Sequence, residues 1–215
     1  MVNFLLLQEN IIEYSKKDID EGNTPQKIYE VCSCIREAFC LSYSIRKGNN
    51  LFIYSYEENL LLSFIGTKLR YLGPDERSQA LLLLKALELG KNVDPKVEPE
   101  MIKSTPGIYS TKFIEDSLPF NYFNNFFNGN VYLVIDDIES INQELGSQFL
   151  DKKVERIINN DLYIIPTYTI SAQKSGFIDG FREMKNINFV SLSKIKSIEN
   201  KILYINFRKD HLETP

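Results

Sequence analysis

IGTKLRYLGPDERSQALLLLKALEL, residues 65–89, joins a strand-like run to a helical pattern through one turn, and this transition decides the fold prediction. Gly73 and Pro74 mark the turn, and Pro74 suits the first helical position, where its missing N–H costs no hydrogen bond. Asp75 and Glu76 follow where the positive end of the helix dipole favours anions. The stretch therefore predicts a helix that begins at Pro74.

Basic, aromatic and hydroxyl side chains flank this turn on both sides: Lys68, Arg70, Tyr71, Arg77 and Ser78. Cations suit a phosphate backbone, and an aromatic ring suits an unstacked base. The alternative is a solvated surface in which the arginines pair with nearby carboxylates, a common arrangement that stabilises a protein little. The residues by themselves leave both interpretations open.

Apolar runs separated by helical patterns continue along the chain. Strands are predicted at residues 3–8, 51–56, 60–65, 131–135, 162–165, 189–192 and 202–207. A helix is predicted where apolar residues recur at a spacing of three and four: Ile28, Val31, Cys32, Ile35 and Phe39. This order predicts an α/β fold, with a parallel sheet covered by helices on both faces. The chain of 215 residues is expected to form a single domain, in which the proline-containing residues 91–106 are a surface linker.

Several classes of function are disfavoured by what the sequence contains. The three cysteines, Cys32, Cys34 and Cys40, are not spaced to converge on a metal, so free buried thiols and no metal are expected. One histidine, His211, argues against zinc hydrolysis and Ser-His-Asp chemistry. The glycine motifs of Rossmann and P-loop sites are missing. No secretory pattern or apolar run of about 20 residues is visible, so a cytoplasmic protein without a membrane span is expected.

Charge and aromatic clustering leave further alternatives open. The net charge of −4 argues against a simple polyanion binder, although basic residues outnumber acidic ones in residues 194–209. A carboxylate cluster, Asp136, Asp137 and Glu139, could serve a metal or be a solvated strand end. An aromatic run in residues 120–127 could stack bases, or belong to the core or a dimer contact.

The segments AFCLSYSIRK, residues 38–47, and LRYLGPDERSQALLLLKALE, residues 69–88, resemble the archaeal tRNA pseudouridine N1-methyltransferase family of the SPOUT superfamily. The resemblance returns at GIYST, residues 107–111. It implies a SPOUT-like α/β fold with a C-terminal trefoil knot, a homodimer, and S-adenosylmethionine bound in the knot loops. It also implies methyl transfer to N1 of a pseudouridine in the T-loop of tRNA, a displacement that requires alignment and removal of the N–H proton.

The resemblance assigns roles to particular residues. RNA contacts are implied for Arg46, Lys47, Lys68, Arg70, Tyr71, Arg77 and Ser78. A catalytic role is implied for Asp75, Glu76 and Arg70, of which the carboxylates would accept a hydrogen bond from the base. Cofactor contacts are implied for Val134, Ile165, Pro166, Thr167, Leu192, Ser193 and Ile198.

The chain also departs from the family pattern. Where the first helix of the family carries Gly-Arg-apolar-Asp, this chain has Gln26, Lys27, Ile28 and Tyr29. No glycine occurs in residues 165–170 or 191–196, where β-carbons would narrow a ligand pocket. Two functions therefore remain: an S-adenosylmethionine-dependent tRNA methyltransferase, or a relative that keeps the fold and RNA surface but has lost the methyl donor. Methylation of another RNA or of a small molecule is a third.

Overall fold

The computed structural model describes residues 1–114, 122, 129–135, 160–167 and 187–213. The strands among them are β1 (Val2–Gln8), β2 (Asn49–Ser55), β3 (Leu60–Ile65), β4 (Ile102–Thr105), β5 (Ile108–Lys112), β6 (Val131–Ile135), β7 (Asp161–Pro166) and β8 (Ile187–Ser191). They form one sheet in the order β4-β5-β3-β2-β1-β7-β6-β8. The helices of the same residues are α1 (Lys16–Asp20), α2 (Gln26–Phe39), α3 (Glu76–Lys91) and α4 (Ile198–Glu213), with a 3₁₀ turn at Gly66–Lys68. The α/β class is therefore confirmed.

The sheet is parallel at its centre and antiparallel at one edge. β2, β1, β7, β6 and β8 run parallel to one another. β3, β5 and β4 are each antiparallel to their neighbours, so the prediction of an all-parallel sheet is wrong there. The physical reason is the length of the connections: residues 56–59 join β2 to β3, and Pro106-Gly107 joins β4 to β5. Only antiparallel strands can be joined by such short turns.

The main core lies between the sheet and a helical layer. Alternate β1 residues, Phe4 and Leu6, belong to one buried cluster with the predicted apolar face of α2. α2 contacts both α3 and α4. The opposite face of β1 is also buried, as Leu5 shows, so the sheet is covered on both sides. Helices on that second face remain a prediction.

Two predicted boundaries are wrong near the middle of the chain. α3 begins at Glu76 and not at Pro74, because Asp75 is the N-cap and its side chain accepts a hydrogen bond from the Ser78 amide. The predicted linker at residues 91–106 contains β4, which the two-residue turn places beside β5.

The predicted strand at residues 202–207 is instead part of α4. Ile202, Ile205 and Asn206 are buried, while Leu203 and Phe207 are about half exposed. That spacing is helical, and the buried residues belong to the side that meets α2. A short, mostly apolar run does not distinguish a buried strand from a helix.

A row of buried amides crosses the sheet. Asn3 Nδ2 donates to the Asp161 carbonyl at 3.2 Å, and Asn50 Nδ2 donates to Asn3 Oδ1 at 2.9 Å. Asn50 Oδ1 in turn accepts from the Gly66 amide at 3.1 Å. The row therefore links β7, β1 and β2 to the segment that follows β3.

A second amide pair attaches α4 to α2. Asn49 Nδ2 donates to Asn206 Oδ1 at 2.8 Å, and Asn206 Nδ2 donates to the Glu37 carbonyl at 2.8 Å. Asn206 is only 1% exposed. Removing its side chain would leave buried polar groups without partners.

We expect Asn206→Ala to lower the free energy of unfolding by about 1–3 kcal/mol, because its partners lose their hydrogen bonds inside the protein. Urea denaturation followed by circular dichroism measures the change. The control is Asn200→Ala, an exposed asparagine on the same helix, which should change stability by less than about 0.5 kcal/mol. Equal effects of the two substitutions would contradict this role of Asn206.

Candidate functional site

The loops that carry most of the predicted RNA contacts meet at one edge of the sheet. β1 and β2 begin side by side, with Val2 opposite Asn49. β3 ends at the same edge, with Ile65 opposite Asn50. Residues 40–48, before β2, and residues 66–75, after β3, are therefore brought together. This edge, where the parallel strands begin, is called the amino edge below.

Hydrogen bonds fix the loops of the amino edge to each other and to α4. Lys47 Nζ donates to the Leu69 carbonyl. Arg46 makes a two-pronged ion pair with Asp210 of α4, at 2.6 and 2.9 Å. Arg46 is thus already neutralised by a carboxylate, whereas Lys47 donates to an uncharged carbonyl.

The other predicted RNA-contacting cations differ in whether a neighbouring side chain already interacts with them. Arg77 pairs with Asp20 at 2.7 Å, rather than with the carboxylates beside it in sequence. The Lys68 ammonium lies 5.6 Å from the centre of the Tyr109 ring. Arg70 is exposed, and its side chain has no partner among the residues that the structure describes. Of the predicted arginines, Arg70 is the one most available to a phosphate.

The predicted catalytic carboxylates have structural roles as well. Asp75 caps α3: Ser78 donates to it from its amide and its hydroxyl, at 2.8 Å each. These hydrogen bonds lower the pKa of Asp75 below its ordinary value. Burial raises the pKa of Glu76, and a hydrogen bond from Tyr29 opposes that shift. At neutral pH Asp75 is therefore an ionised cap.

Tyr71 has an unusual backbone. Its φ of 62° lies in the left-handed region, which side chains with a β-carbon rarely adopt. Its side chain is 82% exposed, although a ring of this size normally buries much of its surface. The surrounding loop therefore holds a large apolar ring in solvent.

The predicted cofactor residues gather at the opposite edge, where the parallel strands end, called the carboxyl edge below. Val134 lies near the end of β6, and Ile165 and Pro166 end β7. Leu192 and Ser193 follow β8, and Ile198 begins α4. Because β7, β6 and β8 are adjacent parallel strands, these positions converge. Val134 and Ile165 are buried, and the Thr167 hydroxyl donates to the Leu7 carbonyl at 2.9 Å.

A cleft opens at the carboxyl edge beside these residues. Two of the predicted cofactor residues, Thr167 and Ile198, line it, and so does Lys27 from the first turn of α2. Its floor is apolar, and its remaining polar lining comes from Gln8, Glu9, Asn10 and Glu30. Sequence reasoning missed these four residues. The available signal was the position of Gln8, Glu9 and Asn10 at the end of a buried strand, since ligands of α/β proteins bind beyond the carboxyl ends of parallel strands.

Within one chain, the structure does not bring the predicted catalytic and cofactor residues together. Arg70 and Asp75 belong to the amino edge, and Glu76 accepts a hydrogen bond from Tyr29 in the first turn of α2. Thr167 and Ile198 line the cleft. The two edges are separated by the length of β1, which is about 20 Å at 3.3 Å per residue. Chemistry that used both sets would need a second chain or a long substrate.

Several other predictions fall partly or wholly outside the described residues. Asp136, Asp137 and Glu139 lie outside them, as does most of the aromatic run, although the Tyr122 ring packs edge-on against Phe113 at 5.3 Å. Among the described residues no group of three or more His, Cys, Asp or Glu could hold a metal ion. No helix in the same part of the chain is long and apolar enough to cross a membrane. All three cysteines are free, and burial raises the pKa of Cys32 to about 12.

The parallel strands and the cleft at their carboxyl edge define an α/β protein whose candidate site lies where ligands of this class usually bind. No family model matches the chain. The tRNA (pseudouridine(54)-N(1))-methyltransferase of Thermococcus gammatolerans is 30% identical over 203 residues, which cover 91% of this chain and 90% of that protein.

Two further relatives carry the same name over shorter matches. The protein of Methanocaldococcus jannaschii is 33% identical over 82 residues, 37% of this chain and 40% of the relative. That of Thermococcus kodakarensis is 37% identical over 102 residues, 45% of this chain and 49% of the relative. The chain thus spans about two-fifths to one-half of these two relatives. Because the first match covers nearly both chains, the chain belongs to the tRNA (pseudouridine(54)-N(1))-methyltransferase family, as its sequence predicted.

We expect Asp75→Ala to lower the free energy of unfolding by about 1 kcal/mol at neutral pH, and Asp75→Asn by less, because asparagine is also a good N-cap. The lowered pKa of Asp75 means that its charge stabilises the fold above the ordinary value of 3.8. That contribution is lost as the pH falls through the folded pKa. Urea denaturation from pH 7 to pH 3 should therefore show that the free energy of unfolding of the wild type approaches that of the asparagine variant as the pH falls. A constant difference between them would contradict the assignment.

Proposed function

We propose that this chain is an S-adenosylmethionine-dependent methyltransferase that methylates N1 of pseudouridine 54 in the T-loop of tRNA. The observation that carries the proposal is the relationship to the Thermococcus gammatolerans methyltransferase over 203 residues. The cleft at the carboxyl edge supports it, since two of the residues expected to contact the donor line it. The whole chain is proposed to act as one domain.

The residues at the carboxyl edge fit the donor in their chemistry. S-adenosylmethionine supplies a methyl group on a sulfonium sulfur. The adenosine portion needs apolar contact and backbone hydrogen bonds. The half-buried Ile198 supplies apolar surface, whereas Ile165 and Leu192 are buried in the core and would offer the donor their backbone groups only. A turn closed by the Ile195 amide and the Leu192 carbonyl, at 2.8 Å, shapes the loop after β8. We propose that Val134, Pro166, Thr167 and Ser193 complete this site. We also propose that the C-terminal part of the chain forms a trefoil knot.

The cleft also suits the reacting base. Pseudouridine N1 carries a hydrogen that must leave before or as the methyl group arrives. The Glu9 and Glu30 carboxylates in the lining can accept that hydrogen, and the Lys27 ammonium can hold a phosphate or a base carbonyl. Lys27 stands where the family has arginine, and it keeps the positive charge while losing the planar fork.

We further propose that the protein works as a homodimer. The amino and carboxyl edges lie about 20 Å apart in one chain, so Arg70 and Asp75 could assist the cleft only from a second copy or along an extended RNA. α4 offers a surface for a partner, because Leu203 and Phe207 are 47% and 54% exposed one helical turn apart. Arg46, Lys47, Lys68, Arg70, Tyr71, Arg77 and Ser78 would then contact the tRNA.

The proposed reaction is tested with purified protein, S-adenosylmethionine and tRNA. Calorimetry should show donor binding at micromolar concentration, and mass spectrometry of nuclease digests should show one methyl group added at pseudouridine 54. The matched control is the same tRNA with uridine at position 54, which cannot react because its N1 carries the ribose. No donor binding at millimolar concentration would overturn the proposal and indicate a relative that has lost the donor.

We expect Arg70→Ala to weaken tRNA binding and to reduce the slope of log affinity against log salt by about one, because one phosphate contact is lost. Arg77→Ala is the matched control and should have a smaller effect, since Asp20 already neutralises Arg77. Filter binding over a range of salt concentrations measures both. An unchanged slope for Arg70→Ala would show that Arg70 does not contact a phosphate of the tRNA.

A further inference from the structure

Tyr43 is the most exposed large hydrophobic residue in the part of the chain that the structure describes. It is fully exposed to solvent, whereas Tyr54 and Tyr163 are completely buried. Neither the cleft nor the predicted RNA contacts include it. A ring in this position makes no contribution to the core, so its surface is available to a partner.

The turn that carries Tyr43 is well held. Cys40 and Ile45 form an isolated antiparallel bridge at its base. The Leu41 amide donates to the Ser44 carbonyl at 3.0 Å, and the Arg46 amide donates to the Phe39 carbonyl at 2.7 Å. Residues 41–44, called the tyrosine turn below, are thus a tight connection closed by backbone hydrogen bonds. The ring is presented with little loss of entropy on binding.

The tyrosine turn adjoins the loop that carries Tyr71. The Cys40 sulfur lies 3.8 Å from the Gly73 carbonyl oxygen, and Gln79 Nε2 donates to the same carbonyl at 2.9 Å. Lys47, just beyond the turn, donates to the Leu69 carbonyl. Two exposed tyrosines therefore come from neighbouring loops that are tied together at the amino edge.

The charges around these rings favour a polyanion. Lys47, Lys68 and Arg70 are exposed cations of the same two loops, and no carboxylate neutralises them among the described contacts. By contrast, Arg46 is paired with Asp210. Exposed rings beside cations match unpaired nucleotides, in which the phosphates are negative and the base faces are open. A double helix hides those faces, so it would use the cations alone.

We propose that Tyr43 and Tyr71 form a stacking platform for unpaired bases of an RNA, with Arg70 and Lys47 holding the adjoining phosphates. The platform rests on the proposed function for the identity of the RNA, but its binding step is independent of methyl transfer. Tyr43 extends the RNA surface beyond the residues that the family resemblance implies.

The test compares Tyr43→Ala and Tyr43→Phe, with Tyr56→Ala as the matched control. Tyr56 is 46% exposed and follows β2 at the carboxyl edge. The probes are a T-arm stem-loop RNA with 2-aminopurine in its loop and a blunt RNA duplex of equal length, both without methyl donor. We expect Tyr43→Ala to weaken stem-loop binding about tenfold and to abolish the quenching of 2-aminopurine.

Tyr43→Phe and Tyr56→Ala should bind the stem-loop like the wild type, and the salt slope of Tyr43→Ala should be unchanged because stacking releases no counterions. Circular dichroism confirms that each variant is folded. The proposal is overturned if Tyr43→Ala binds the stem-loop normally, which would leave the ring to a protein contact, or if it loses duplex binding equally. If wild-type protein binds and stacks the stem-loop but transfers no methyl group, the proposed function fails and the platform stands.

Discussion

The buried amide row through Asn3 and Asn50 is the interaction on which the rest of the structure depends. It joins the Asp161 carbonyl to the Gly66 amide across β7, β1 and β2, which are far apart in sequence. A shift of one residue in either strand pairing would turn these amides to the other face and leave buried polar groups unpaired, at about 1–3 kcal/mol each. The row therefore sets one register for the parallel centre of the sheet.

That register places the two proposed functional surfaces. With β1, β2 and β7 aligned, residues 8–12 after β1 and Thr167 after β7 meet beside the start of α2 and line the cleft. The same alignment gathers the loops around Lys47 and Arg70 at the amino edge. α4 spans both edges, because Ile198 lines the cleft and Asp210 pairs with Arg46.

The proposed RNA surface carries few unpaired cations. The chain has a net charge of −4, and two of its candidate arginines are already paired with carboxylates. What remains is a small group of cations beside two exposed rings. Such a surface favours unpaired nucleotides over long-range attraction to any nucleic acid, because stacking needs open bases and depends little on salt. This limited charge fits the proposed binding of one RNA loop.

The sequence by itself determined the α/β class, most strands, α2 and the family, since long periodic runs and the two matching segments are local signals. Tertiary contacts decided β4, whose four residues IKST have no apolar alternation and become a strand by pairing with β5. They also decided α4, where a mostly apolar run suits either a strand or a helix until α2 buries one side of it. The cleft and the separation of the two edges arise from strand register, which brings distant residues such as Lys27 and Thr167 together and which no local pattern encodes.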